Sequence, residues 1–443
     1  MHRTASIVSI GDELILGQTL DTNSKWLSEA LVERGLRIIE HVTVADDIAA
    51  MVGVFARLRD SSDIVIATGG LGPTPDDLTR RAAADAVGDQ LVEDGAMLAE
   101  IRAWYAGRER AMPEANRVQA LRPVSATPLS NPNGTAPGLW IRGAMGLSDL
   151  FCLPGPPREM RPMFEAHVLP ALSLPEGQVV RTRVLRTCGI GESDVADRLG
   201  DLLSRERQPL IGTTASLGVV SVRMRFEGEG SGQDAEALLD DSERLVRAEL
   251  GPYCFGTGDD TLESVLVDLL RERGERLVVV ESCTGGLLGS MFTDVPGSSD
   301  VFTGGWITYT NAMKAAQVGV NPQALASMGA VSAEVATAMA EGGLIAATHE
   351  LDDGRPVPGV EHALAITGVA GPGGGSDEKP VGTVWVALAS KDAETDVRRF
   401  KLRGDRRTIR EWAARSAEWM LWMRLSHGAE GRDVPLLREA GAR

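Results

Sequence analysis

Residues 4 to 10, TASIVSI, and 63 to 68, DIVIAT, decide the fold of the first part of this chain. Each is a short β-branched run that ends in a glycine turn, at Gly11 or at Gly69 and Gly70, before a helical pattern begins. Apolar runs of this length bounded by turn residues read as buried strands. Between them lie an amphipathic stretch from Asn23 to Glu33, a strand over 36 to 44 and a helix from Asp47 to Arg59. The alternation predicts a doubly wound α/β layer whose ligands sit at the carboxyl ends of the strands. The unit continues to LFCLPGPPREM, 150 to 160, where a strand meets a proline-rich turn and then a helix ending near Leu172.

Working outward, residues 173 to 256 change character. VVRTRVLRTCGI and LGVVSVRMRFEGEG alternate apolar and charged residues like half-exposed strands, and AEALLDDSERLVRAELG reads as one amphipathic helix. This is a small α+β connector. From residue 257 to 443 the α/β pattern returns, with the helix TLESVLVDLLRERG, the strand RLVVVES and further strands in HALAITG, GTVWVALAS and VRRFKL. A closing helix from Asp405 to Leu425 puts Trp412, Trp419 and Trp422 on one face, a stripe suited to core or subunit packing. The tail beyond it reads as frayed. The domains expected are therefore 1–172, 173–256 and 257–443.

Composition limits the function classes. At 443 residues and 43% hydrophobic, with a mean hydropathy of -0.05, the chain is a multidomain globular protein and neither a single small module nor a disordered segment. Its 45 Lys and Arg against 62 Asp and Glu give a net charge of -17, and no segment is basic. Duplex binding needs clustered cations to neutralise phosphates, so direct nucleic-acid binding is not expected. Cys152, Cys188, Cys254 and Cys283 form neither a CxxC pair nor a compact disulfide frame, and no HExxH occurs. Asp12 and Glu13 interrupt the first apolar stretch too early for a signal-peptide core, and no run approaches a membrane span. A cytoplasmic location with no membrane association is the expectation.

Three constellations carry chemistry. ESCTGG, 281 to 286, follows a buried-type strand and opens a helix, a junction that presents backbone amides to an anion or a developing oxyanion. Ser282 and Cys283 are both candidate nucleophiles and each needs an activator. Lys314, five residues after Tyr309 in YTNAMK, is a candidate: a desolvated Lys acts as a base, whereas Arg does not. Finding both in one loop goes against a composition of 5 Lys, 40 Arg and 3 Tyr, although a packed Tyr309 and a surface Lys314 would read the same way. Second, TGVAGPGGG, 367 to 375, follows the strand ALAI and lets backbone amides close on a phosphate or amide oxygen, without the GK dipeptide of a P-loop. Third, TGGLGPTPDDLTRR, 68 to 81, sets Gly69, Gly70 and Gly72 ahead of Asp76 and Asp77 at the start of a helix. Those acids suit either a helix cap or a divalent metal that bridges phosphates, and Asp12 and Glu13 point to the same sheet edge.

GDELILGQTLDTNSKWL, TGGLGPTPDDLTR, NPNGTAPG and LPGPPREMRPMF resemble the molybdopterin-binding-like domain of the CinA family of competence/damage-inducible proteins. ESCTGGLLGSMFTDVPGSSDVFTGGWITYTNAMK and TGVAGPGGG resemble that family's carboxyl-terminal nicotinamide-nucleotide amidase, and the middle segment resembles its KH-like connector. The resemblance spans nearly the whole chain. It implies two activities in pyridine-nucleotide salvage: deamidation of nicotinamide mononucleotide to nicotinic acid mononucleotide plus ammonia, and metal-dependent hydrolysis of ADP-ribose. It also implies roles. Ser282 would be the amidase nucleophile, Lys314 its base and Tyr309 a neighbour, with Thr284, Gly285, Gly286, Thr367, Gly371, Gly373 and Gly374 around oxyanion and substrate, and no cofactor. Cys283 competes for the nucleophile's role, but no His stands in a neighbouring motif to activate it.

In the first domain the resemblance implies nucleotide binding by Asp12, Glu13, Asn23, Thr68, Gly69, Gly70, Gly72, Gly134, Thr135 and Arg158. A divalent metal (Mg, Mn or Co) would sit at Asp76, Asp77 and Glu159. Two rivals stand beside this reading: molybdopterin binding or adenylylation in the first domain, and a non-enzymatic scaffold for DNA uptake or a recombinase partner, which the family name alone suggests. The RNA-clamping GxxG of KH domains is missing from the connector, so no RNA is expected there. A homodimer that buries the aromatic helix or the connector is expected.

Overall fold

The two β-branched runs become strands of one sheet in a computed structural model that describes residues 1–143, 146–173, 178–347, 359–391 and 393–440. In chain order the first part forms β1 (Thr4–Ile10), β2 (Arg37–Val44), β3 (Ile64–Thr68), a ribbon of β4 (Leu91–Glu93) and β5 (Leu121–Pro123), then β6 (Thr127–Leu129), β7 (Gly138–Ile141) and β8 (Asp149–Leu153). The main sheet has the order β2-β1-β3-β8-β7-β6, parallel from β2 to β8 and antiparallel beyond. Alternate residues face opposite sides. Val8, Ile10, Val65 and Ala67 pack with Met51, Phe55 and Leu58 of the helix Ile48–Ser61. Ala5, Ile7, Ile64 and Ile66 pack with Leu27 and Leu31 of the helix Thr22–Val32 and with Met160 and Phe164. Both faces are thus covered, as a doubly wound sheet requires. The chain leaves β1 to one side for β2 and to the other for β3, so a switch point falls between β1 and β3, where such sheets open a crevice.

The connector is a four-stranded sheet of β9 (Gln178–Cys188), β10 (Leu210–Ser216), β11 (Val219–Glu229) and β12 (Cys254–Thr257) in the order β10-β11-β9-β12, with the helix Gly232–Leu250. Strand β10, LIGTTAS, lacks the alternation that marks its neighbours, and its pairing comes from the turn instead. Leu217 and Gly218 have φ of 47° and 83°, the two-residue hairpin geometry that closes Ser216 against Val219.

The last part carries β13 (Leu277–Glu281), β14 (Phe302–Ile307), β15 (His362–Gly368), β16 (Thr383–Ser390) and β17 (Ala393–Lys401) in the order β14-β13-β15-β16-β17. β14, β13 and β15 run parallel, and β15 to β17 are antiparallel. Because β13 lies between its two successors in the chain, a second switch point falls at its carboxyl end. By contact the chain forms two compact units, Met1–Arg181 with Phe226–Glu236, and Thr182–Arg225 with Ala237–Arg443.

One expectation is corrected here. The tail is not frayed: Leu436 is buried, Leu437 N donates to Gly189 O at 2.7 Å, and Tyr253 Oη donates to Pro435 O at 3.0 Å. The buried Arg398 guanidinium pairs with Asp396 and donates to the carbonyls of Gly431, Arg432 and Val434 at 3.0, 2.7 and 2.8 Å. The aromatic stripe, on the helix Arg406–His427, is likewise used within the chain. Trp419 is fully buried, Trp422 Nε1 donates to Pro252 O at 2.8 Å, and the Arg438 guanidinium lies 3.6 Å over the Trp412 ring. The stripe thus packs within the chain, one of the two uses expected of it. Among the described residues no helix is long and apolar enough to cross a membrane, and all four cysteines are free and buried.

Candidate functional site

Parallel pairing sets Glu281 beside Ile307 on one side and Ile366 on the other, so the three strands end together. Ser282 N donates to Ile366 O at 3.0 Å and Thr308 N to Glu281 O at 2.7 Å, which extends the ladder one residue past β13 and fixes where Ser282 leaves it. Thr310 caps the helix Asn311–Val318, accepting from Met313 N, and turns Lys314 inward. Lys314 is 1% exposed; its Nζ lies 2.9 Å from Ser282 Oγ and donates to Thr308 O at 2.7 Å. Burial lowers the Lys314 pKa, which favours the neutral amine. The neighbouring Cys283 thiol goes the other way: burial pushes it up to about 12. At neutral pH it is a thiol and a poor nucleophile.

The turn after Ser282 is held from two sides. Gly285 and Gly286 have φ of 61° and 93°, a left-handed pair that side chains resist. Below it the buried Glu281 carboxylate accepts from Gly286 N at 3.0 Å, Leu288 N at 3.1 Å and Gly289 N at 2.9 Å. The Gly286 amide is therefore taken and cannot serve an oxyanion, a correction to its expected role. Thr284 is fully buried and, among the described residues, its Oγ1 has no partner. Thr367 is corrected too: its hydroxyl donates to Ala330 O at 2.8 Å and ties the end of β15 to the loop at Ala330.

Of the glycine loop, Gly371 presents its carbonyl to Arg406 Nη1 at 2.7 Å, and Gly373 and Gly374 are open, with no or only distant contact for an added Cβ. The other guanidinium nitrogen of Arg406 donates to the Tyr309 hydroxyl at 2.8 Å, so Tyr309, 57% exposed, stands at the mouth with the loop beside it. Sequence reasoning missed Glu281, Arg406 and Arg410. Glu281 stands in the quoted motif and had a legible signal, an acid immediately before a turn rich in free amides. The two arginines had only a negative one, basic residues at a helix start, where the dipole disfavours them.

The first sheet's switch point holds a cavity of about 450 Å³. Glu13, Asn23, Thr68, Gly69, Gly70, Gly72, Asp76, Asp77, Thr135 and Glu159, all named from the sequence, line it. A Cβ at Gly69 would stand 2.3 Å from Ile10 O, so only glycine lets the turn close on β1. Other expected residues are placed differently. The Asp77 carboxylate accepts from Gly72 N at 2.6 Å, Thr74 N at 2.8 Å and Thr74 Oγ1 at 2.5 Å, so it staples its own loop, caps no helix and leaves the Gly72 amide occupied. The helix starts later, at Thr79, with no side-chain cap. The Arg158 side chain is 83% exposed and is not among the lining residues. Gly134 sits behind Glu159, whose carboxylate accepts from Asn131 Nδ2 at 2.9 Å.

Asp12 lies beside Asp46, its N donating to Asp46 Oδ2 at 3.0 Å. Asp46, a lining residue missed in the sequence, has its pKa raised by burial and by the charges of Asp12, Glu13 and Asp76, against the hydrogen bond from Asp12 N. Asp21 also lines the cavity. Burial raises its pKa, yet hydrogen bonds from Ser24 and Ser9 hold it below the usual range. Arg80 is buried beneath the glycine turn, bonded to the carbonyls of Leu71 and Gly72, and burial brings its pKa down to about 10. Among the described residues no three His, Cys, Asp or Glu side chains gather to cage a metal, so the trio Asp76, Asp77 and Glu159 is not a preformed ligand set.

Two α/β sheets joined by a small α+β connector, each sheet with its residues converging at a switch point, define a composite protein with two candidate sites. Family models agree segment by segment: a molybdopterin binding domain over residues 6–174, the damage-inducible protein CinA KH domain over 182–256, and the CinA C-terminal domain over 259–424. The chain belongs to the CinA family. It is 43% identical to a competence-damage inducible protein of Symbiobacterium thermophilum over 93% of this chain and 96% of that one. To a CinA-like protein of Gemmatimonas aurantiaca it is 41% identical over 93% and 94%. Among solved structures, the protein CinA of Thermoplasma acidophilum is 32% identical, with 39% of this chain and all of that one covered and a TM-score of 0.36. A competence/damage inducible protein of Agrobacterium tumefaciens is 36% identical over 36% and 91%, with a TM-score of 0.33.

Proposed function

We propose that the carboxyl-terminal part of the chain hydrolyses the amide of nicotinamide mononucleotide, giving nicotinic acid mononucleotide and ammonia. The observation that carries this reading is the buried Lys314 amine 2.9 Å from Ser282 Oγ. As Ser282 Oγ bonds to the carboxamide carbon, its proton passes to the neutral Lys314 Nζ. The carbon–nitrogen bond breaks, Lys314 returns the proton to the leaving nitrogen, and water then cleaves the acyl ester by the same relay. The Thr284 and Gly285 amides are the turn's candidates for the oxyanion, since Gly286 is held by Glu281. Tyr309, Arg406 and the open glycines of the loop suit the phosphorylated end of a nucleotide. The mononucleotide should therefore outrun free nicotinamide by about a hundredfold or more in kcat/KM, the worth of roughly two charge-assisted hydrogen bonds. Equal rates of ammonia release from the two would remove the phosphate-cradle role.

For the amino-terminal part we propose cleavage of the ADP-ribose pyrophosphate. The cavity at the β1/β3 switch point supports it, with its glycine turn over the buried Arg80. Glu13, Asp46 and Asp76 would repel a pyrophosphate; a divalent cation bound mainly through substrate oxygens and water, with one or two of these carboxylates, would offset that repulsion and polarise the phosphoryl group. A small hard cation accepts so partial a protein ligand set. Purified protein given ADP-ribose should release AMP only with Mn, Co or Mg, and Asp76→Ala should lower that rate by about a hundredfold. If no metal yields AMP and molybdopterin binds tightly, the domain is a pterin binder or adenylyl transferase. No turnover of either nucleotide would favour the scaffold.

A further inference from the structure

Arg410 stands where local physics does not favour it. The helix Arg406–His427 begins with Arg406 and Arg407 and carries Arg410 one residue beyond its first turn, three cations at the positive end of a helix dipole. Asp405, which caps Thr408 N at 2.8 Å, is the local compensation, and Arg407 is paired with Glu411 at 2.8 Å. Arg410 instead reaches across to the turn after the nucleophile. Its Nε and Nη2 both donate to Thr284 O, at 3.2 and 2.5 Å.

That contact fixes more than an oxygen. The Thr284–Gly285 peptide is trans, so its C=O and N–H point in opposite directions. With the carbonyl drawn to Arg410, the Gly285 N–H must face the other way. The next amide, Gly286 N, is drawn down to Glu281, so neither clamp uses the amide between them. Gly285 N finds no acceptor among the described residues, and the Thr284 hydroxyl beside it is buried without one. A fixed donor with no acceptor among the described residues, three residues after an activated serine, is what an oxyanion needs. Resting on the amidase reading above, we propose that Arg410 is a positioning residue, which orients the Thr284–Gly285 peptide so that the Gly285 N–H meets the oxyanion of the acyl-transfer transition state.

A group that acts only on the transition state changes kcat and leaves KM nearly alone. In the full chain, with nicotinamide mononucleotide as substrate, Arg410→Gln should lower kcat by about ten- to a hundredfold with KM within about twofold. Arg410→Lys, which keeps one charged donor, should recover part of the loss. The pH at which the rate rises should be unchanged in both, because Lys314 is untouched. Arg407→Gln removes the same charge from the same end of the helix and should keep the wild-type rate, which separates the peptide clamp from a dipole effect. A raised KM with unchanged kcat in Arg410→Gln, or wild-type kcat in it, overturns the inference and leaves the amidase reading standing. A wild-type protein that releases no ammonia overturns both.

Discussion

Ser282→Ala is expected to remove ammonia release from nicotinamide mononucleotide almost entirely, by about a thousandfold or more, while Cys283→Ala keeps most of it. The two residues are adjacent and both buried, so the distinction rests on activation. Ser282 Oγ has a lysine amine at 2.9 Å as its hydrogen-bond partner. Cys283 is held as a thiol by burial, with a pKa of about 12, and at pH 7 its thiolate is a negligible fraction. Purified variants compared by ammonia release under saturating substrate give the answer. If Cys283→Ala loses activity and Ser282→Ala keeps it, the roles are reversed, and Lys314 must then serve the thiol.

Much of this arrangement was legible because it follows from short-range pattern. TASIVSI, DIVIAT and RLVVVES are strands because each is apolar, β-branched and closed by a turn, and parallel strands end together, which brings Ser282 and Lys314 to one edge. What was not legible depends on which partner a polar group finds. Asp77 stands two residues before a motif helix, yet three donors of its own loop claim it, a choice that only the loop's closure decides. Gly286 looked like an oxyanion amide because the pattern cannot show that Glu281, five residues earlier, folds back under the turn. Arg406 and Arg410 were two among 40 arginines, and what distinguishes them is contact with residues about a hundred positions away. The tail was misjudged for the same reason. VPLLREA has no periodicity of its own and is ordered by distant groups, above all Arg398 and Gly189.

Lys314→Arg should be as damaging as loss of the serine, although it keeps the charge and the hydrogen-bonding capacity. The mechanism needs a group that begins neutral, takes the Ser282 proton and gives it back; a guanidinium in a protein stays protonated and accepts nothing. Burial lowers the Lys314 pKa from its ordinary 10.5, so the neutral form becomes available at lower pH than for a surface lysine. The sign follows directly. Below the lowered pKa the amine is charged and inactive; as pH rises through it, kcat/KM climbs and then levels off before 10.5 is reached. Lys314→Arg and Lys314→Met should each lose about a thousandfold, and whatever rate remains should lack that rising limb. A Lys314→Arg protein that keeps more than a tenth of the wild-type rate, or a limb that persists in Lys314→Met, would show that the proton goes elsewhere, and the 2.9 Å contact would then be one that only orients the serine.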